Sequence, residues 1–312
     1  MTDTSAQSRR GDISIFLPQA EDKEKHILDV LIEERCPTFS SHWTWPMLRL
    51  PILSMLGYRK ARRMADYIHG MPGGESFDYL SEELKIDLDL TSFDRIPKTG
   101  RVVIAANHPT GLADGAAVWA ALRKVRKDIV FFANADAIRI NPGFETTLIP
   151  VEWVLEKRSP RKARETLRRA ADAFAEEKCV VIFPSGKLAR MVNKTLTEQD
   201  WFPTVVSLAR KQKAPILPLN VQARNSSLYY FLSRHNGELR DITLFRELVN
   251  KKGDLFRMTA GDLIAPDKLA GDAADITLAL KNYVSYDLSP DSPDKVFDPA
   301  RPHQENYPKI ID

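Results

Sequence analysis

Two cysteines in 312 residues, Cys36 and Cys179, are too few and too far apart for a disulfide framework or a metal-ligand cluster. A reducing compartment is the natural reading. No run reaches the roughly 18–20 uncharged apolar residues that cross a bilayer, and the first twelve residues lack an apolar core or cleavage-like site. Neither a membrane span nor a secretory leader is therefore expected. An excess of one charge is missing too. The 45 Lys and Arg stand against 42 Asp and Glu, for a net +3, which gives a nucleic acid nothing to bind except through local clustering. Glycine-rich dinucleotide and phosphate loops are absent. So is the Gly-x-Ser-x-Gly frame of a serine hydrolase, since Ser185 stands in Phe-Pro-Ser-Gly instead. Internal repeats are not found.

What is present is an ordinary globular composition, 43% hydrophobic and 28% charged, enough for a substantial core. The length allows one large α/β domain or two smaller ones. Residues 1–20 are polar and read as a flexible N-terminus, and residues 21–76 as a helical segment. Within 21–35, Ile27, Leu28, Leu31 and Ile32 recur at helical spacing. Residues 40–65 then hold Arg49, Arg59, Lys60, Arg62 and Arg63 and no acid, with Trp43 and Trp45 ahead of a short apolar block. That pattern suits a helix lying in a lipid interface, with indoles at headgroup depth and cations on anionic headgroups. It also suits a packed helix with a solvated basic end.

From about residue 85, apolar runs alternate with helical patterns. Strands are expected at 102–106, 129–133, 148–151, 180–183 and 216–221, with 256–260 at a sheet edge. Helices are expected at 114–126, 160–177 and 200–213. Ser159 and Pro160 form a clean start for the second helix, whose buried stripe is read as Ala163, Leu167, Ala170 and Phe174. The pattern predicts a mixed, mostly parallel sheet flanked by helices, with the site beyond the carboxyl ends of the strands. The tail from Ser285 carries five prolines and reads as an extended or disordered arm over 285–312.

The chemistry-bearing stretch is Asn107-His108-Pro109-Thr110-Gly111-Leu112-Ala113-Asp114-Gly115, which leaves the 102–106 strand. An imidazole titrates near neutrality and can take a proton. A carboxylate on its second nitrogen fixes the tautomer and stabilises the imidazolium. Six positions along a regular helix would turn His108 and Asp114 about 600° apart, onto different faces. The two can meet only across a non-helical Pro109–Gly111 turn. On spacing alone a second reading stays open, in which Asp114 only caps the helix and His108 is a polar strand end.

This run resembles the catalytic block of the glycerolipid (lysophospholipid) acyltransferase family, whose usual form is His, four residues, Asp. The five-residue spacing here is similar to the hemolysin-like branch that includes lyso-aminolipid O-acyltransferases. Phe77–Leu80 and Ile96–Gly100 resemble the lead-in to the first strand, and Leu148-Ile149-Pro150-Val151 the second block. Phe183-Pro184-Ser185-Gly186-Lys187-Leu188-Ala189-Arg190 resembles the third block. Trp201, Ala214–Pro218 and Arg224-Asn225-Ser226 resemble the fourth. The resemblance implies an acyltransferase domain over 77–284 and direct transfer from acyl-CoA or acyl-carrier protein to a lipid hydroxyl. His108 would be the base and Asp114 its orienter, with no metal, cofactor or acyl-enzyme. Asn107, Gly111, Ser185, Gly186, Lys187, Arg190 and Arg158 become substrate-binding candidates, and backbone amides near Gly111 or Gly186 candidates for the oxyanion. Ser185 replaces the Glu that glycerol-phosphate enzymes carry, which weakens lysophosphatidic acid as the acceptor. Lys187 and Arg190 could hold a phosphate or carboxylate or stand as solvated cations, while Arg224 and Asn225 are expected to hold their loop. The residues that would meet the membrane are Trp43, Trp45, Arg59, Lys60, Arg62 and Arg63.

The expected partners are therefore membrane lipids and an acyl carrier, at the cytoplasmic face of the cell membrane. Two alternatives stay open: a catalytically silent lipid- or protein-binding relative, and an acyl thioesterase. Acyl-chain length, headgroup and oligomeric state are not legible.

Overall fold

The computed structural model describes residues 12–18, 25–152 and 155–300. Seven strands make the main sheet: β1 (Asp87–Thr91), β2 (Val102–Ala106), β3 (Ile129–Asn134), β4 (Leu148–Val151), β5 (Cys179–Ile182), β8 (Ile216–Gln222) and β9 (Leu255–Ala260). Their order is β1-β9-β8-β2-β5-β3-β4. All neighbours run parallel except β8 and β9. The two remaining strands, β6 (Arg190–Val192) and β7 (Thr195–Thr197), form a separate hairpin. Its two-residue turn, Asn193-Lys194, has positive φ at both positions, the geometry that matches strand twist in a tight hairpin.

Every residue of β2 and β5 is buried, because helices cover both faces of the sheet. Val102, Ile104 and Ala106 point into one core layer, while Val103 and Ala105 point into the other. The first layer is closed by α5 (Gly73–Leu84) and α6 (Leu112–Arg123). The second is closed by α8 (Pro160–Ala175), α9 (Thr204–Gln212) and α13 (Ala273–Asn282). A third cluster lies under the N-terminal helices α1 (Ile27–Arg35), α3 (Trp45–Met55) and α4 (Tyr58–Ile68), where it meets α11 (Gly237–Ile242) and α12 (Leu244–Asn250). Three short or peripheral helices complete the set: α2 (Pro37–Ser40), α7 (Asp136–Ile140) and α10 (Ser227–His235). Among the described residues no helix is long and apolar enough to cross a membrane.

Several elements differ from their sequence expectation. β9 is not the edge, because β1 pairs with it from outside. Asp-Leu-Asp-Leu-Thr is half acidic and too short to stand out as a strand, and those same acids keep the true edge from pairing further. On α8, Ala163 and Leu167 are exposed, and the buried stripe is Ala170, Ala173 and Phe174. The helix therefore buries apolar residues only in its last turns, although Thr166 reaches the Pro150 carbonyl of β4 at 2.6 Å and Ser159 caps its start as expected. Phe77 lies on α5, which runs across residues 76 and 77 and leads into β1, and it stacks on Trp119 at 4.8 Å.

Residues 285–300 of the proline-rich tail are not a free arm. Leu288 is buried, the Tyr283 hydroxyl donates to the Lys295 carbonyl at 2.6 Å, and Arg95 donates to the Pro293 carbonyl at 2.6 Å. Residues 301–312, most of 1–20 and residues 21–24 of the expected first helix lie outside the described residues.

Candidate active site

Strands β8, β2 and β5 are adjacent and parallel, so the segments that follow them emerge at one edge of the sheet. This is why the stretches 107–115, 183–190 and 223–226, far apart in sequence, share one place. Asn107 binds the turn to β8: its side chain donates to the Val221 carbonyl at 2.9 Å and accepts from the Val221 amide at 2.7 Å. Asn225 donates to the Thr110 carbonyl at 3.3 Å, the loop-holding role expected of it.

Gly111 then turns the chain at φ 90° and ψ −122°, a region open only to glycine. A Cβ here would also come within 2.8 Å of Leu188. The helix α6 starts at Leu112, two residues before the predicted start, so Asp114 sits at its third position and looks back over the turn. Asp114 is fully buried. Its carboxylate accepts from the Thr110 amide at 2.8 Å, the Gly111 amide at 2.9 Å and the Thr110 hydroxyl. The same carboxylate lies 2.9 Å from His108 Nδ1. That contact is close but not aligned as a hydrogen bond, a common state of catalytic pairs before substrate tightens them. Asp114 is therefore cap and imidazole neighbour at once. The half-buried imidazole stacks on Phe183 at 4.3 Å, and its Nε2 meets no partner among the described residues.

The stretch 183–190 lies against this turn, and the Ala189 amide donates to the His108 carbonyl at 3.0 Å. Ser185 is buried, its hydroxyl donating to the Lys187 carbonyl at 2.8 Å. Of the backbone amides near Gly111 and Gly186 expected to meet an oxyanion, those of the glycines themselves are taken, Gly111 by Asp114 and Gly186 by the Phe183 carbonyl at 3.0 Å.

Glu198 was not legible in the sequence. It follows the β6–β7 hairpin, is almost wholly buried, and accepts from the His108 amide and from the Trp201 indole, each at 3.1 Å. No periodicity or spacing in Thr-Glu-Gln-Asp-Trp marks it, because its partner lies ninety residues upstream. Burial pushes its carboxyl above the usual range, while donors from His108, Ser185 and Trp201 pull the other way. The folded chain thus holds this proton to higher pH than the unfolded chain, whose carboxyl titrates near 4.5. Native stability from this group is full below that pH and falls as pH rises through the folded value. Thermal unfolding across that range should show the wild type losing ground, relative to Glu198→Gln, as pH rises.

A cavity of about 770 Å³ is lined by Gly186–Met191, the stretch whose Ala189 bonds the His108 main chain, and His108 is not itself in its wall. Lys187, Arg190 and Arg234 line it and have no acidic partner among the described residues. Arg158 does not line it. Its guanidinium donates to the Glu152 carbonyl at 3.1 Å, and Lys157 and Lys162 take the place expected for it on the wall. Among the described residues no three His, Cys, Asp or Glu side chains group as metal ligands.

The residues expected at a membrane divide. Trp45 is buried in the N-terminal cluster and cannot face lipid. Trp43 is exposed, together with Met47, Leu48, Leu50 and Met55. Arg49 is drawn onto Asp29 and Glu33, Lys60 approaches Glu83, and Arg62 approaches Asp66, which leaves Arg59 and Arg63 exposed without an acid.

The acyltransferase family profile matches residues 88–222, from β1 through β8. That stretch is similar to an acyltransferase domain. Two bacterial relatives are lyso-glycine lipid O-acyltransferases, from Phocaeicola vulgatus (22% identical over 161 residues) and Bacteroides thetaiotaomicron (21% over 161 residues). Each match covers 52% of this chain, and the chain spans little more than half the relatives' own length, 56% and 57%. Among solved structures it is similar to the 1-acyl-sn-glycerophosphate acyltransferase PlsC of Thermotoga maritima, 13% identical with a TM-score of 0.45. That match covers 83% of this chain and 93% of the other.

Proposed function

We propose that this protein transfers a fatty acyl group from a thioester to the hydroxyl of a lyso-lipid, with His108 as general base and Asp114 as its orienter. The observation that carries the reading is the Nε2, unpartnered among the described residues, of an imidazole whose Nδ1 lies 2.9 Å from a fully buried carboxylate. In the proposed step Nε2 takes the hydroxyl proton as the oxygen attacks the thioester carbonyl. The tetrahedral intermediate expels the thiolate, which recovers the proton from the imidazolium, while Asp114 stabilises the transient charge. The thioester is acyl-CoA or acyl-carrier protein. A lyso-aminolipid is the favoured acceptor and a lysophospholipid the next, in keeping with the names of the two curated relatives. The acidic group of either the acceptor or the carrier would meet Lys187, Arg190 and Arg234.

The exposed apolar outer side of α3, with Trp43 just before it, supports a reaction at a membrane surface, which we propose to be its cytoplasmic face. Met47 and Leu50 are about 70% exposed and Met55 and Trp43 about 80%, on a face where a folded chain would ordinarily keep polar residues. Met47→Glu with Leu50→Glu should leave stability within about 0.5 kcal/mol, because both side chains face outward. Flotation with anionic liposomes should fall at least severalfold. Wild-type protein that fails to float at any salt concentration removes the docking reading.

The test of the reaction is an assay of purified protein with labelled acyl-CoA and acyl-carrier protein against a panel of lyso-lipids. Acylated product from one acceptor class supports the reading. Acyl release without any acceptor makes the protein a thioesterase. Neither product, in protein that still binds vesicles, makes it a silent lipid-binding relative.

A further inference from the structure

We propose that Glu198 is a positioning residue of the reaction, holding the His108 main chain where the imidazole can work; this rests on the acyl-transfer reading above. A carboxyl group taken fully out of water is costly unless donors meet it. Two meet Glu198, the His108 amide and the Trp201 indole, each at 3.1 Å, and the Ser185 side chain lies beside it. They come from three different parts of the chain, so the acid ties together the turn after β2, the turn after β5 and the core beneath α9.

The His108 peptide is held at both ends by one stretch of chain. Its N–H goes to Glu198 and its C=O receives the Ala189 amide. The β6–β7 hairpin leaves this stretch after Ala189 and returns just before Glu198, and β7 ends in the buried Thr197. Gln199 closes the loop from the same side by donating to the Leu188 carbonyl at 3.1 Å. Among the described residues the imidazole itself is steadied only by Phe183 and by the unaligned contact with Asp114. Its location in space therefore depends on where the His108 backbone is clamped. A displacement of about 1 Å in a reacting group costs on the order of 10²-fold in rate.

Glutamine at 198 keeps the volume but turns one acceptor into a donor. If its carbonyl faces the His108 amide, its NH₂ faces the Trp201 indole N–H, and the two donors repel. The expected result for Glu198→Gln is a fall in kcat of about 10–100-fold with the KM for donor and acceptor changed by less than about threefold. Trp201→Phe added to it removes the opposing N–H and should restore part of the lost kcat. Folded Glu198→Gln with wild-type kcat overturns the proposal. So does a loss that rises entirely in KM, or one that tracks the unfolded fraction and is not relieved in the double variant. If the glutamine variant does not fold, Glu198→Asp, which keeps the acid and withdraws it by one methylene, is judged by the same kcat and KM criteria.

Wild type in the same assay separates the two claims. If wild type transfers no acyl group, the functional reading fails. The positioning claim is then judged by imidazole ¹H–¹⁵N correlation spectra, with the His108 signal identified by its loss in His108→Ala. A changed His108 signal in Glu198→Gln supports positioning, and an unchanged one overturns it.

Discussion

His108→Ala is expected to lower kcat for acyl transfer by roughly 10²–10⁴-fold, the contribution of a positioned general base, while the protein stays folded. The imidazole is half-buried, stacks on a single ring, Phe183, and supports no core layer. Its removal opens little more than a surface notch, so a change in melting temperature beyond a few degrees is not expected. The KM for the thioester should move little if the ring acts only as the reaction proceeds. Steady-state kinetics with the acceptor found by the lyso-lipid panel checks this. Full activity in the alanine variant removes His108 from the chemistry.

Asp114→Ala should show two losses that separate. The fold loses the acceptor that meets the Thr110 and Gly111 amides and the Thr110 hydroxyl. A lost cap of this kind costs about 0.5–2 kcal/mol, and buried donors left unmet add about 1–3 kcal/mol. The reaction loses the anion that holds the tautomer and stabilises the imidazolium, at a further cost of at least about 10²-fold in kcat. Combining Asp114→Ala with His108→Ala tells the two apart. If Asp114 acts on the reaction through His108, it subtracts little more activity once the imidazole is gone, because groups that work as a unit are not additive. Its stability loss remains in full. Activity losses that simply multiply would assign Asp114 to the fold alone.

The two readings of Asp114 left open by its spacing turn out to be compatible, and the reason is geometric. A third-position acid that reaches back to a glycine N-cap lies on the same side as the residue preceding the turn, so one carboxylate serves both. The membrane-facing set was less legible. Trp43 and Trp45 are equivalent in composition, yet one is buried and the other exposed. The helix begins between them, and only packing against α1, α11 and α12 decides which face turns inward.

What the sequence by itself determined is what local chemistry dictates: buried strands as apolar runs, the Ser159 cap, the glycine turn after His108, and the His108/Asp114 pair within seven residues. The tertiary structure decided whatever depends on a partner far along the chain. It covered β9 with β1, folded residues 285–300 back onto the domain, turned Arg158 toward Glu152 and brought Glu198 to the His108 amide. The physical reason is that a buried polar group is acceptable only where its partner arrives. The β6–β7 hairpin and the parallel order of β8, β2 and β5 bring those partners together, and no periodicity in the residues records it.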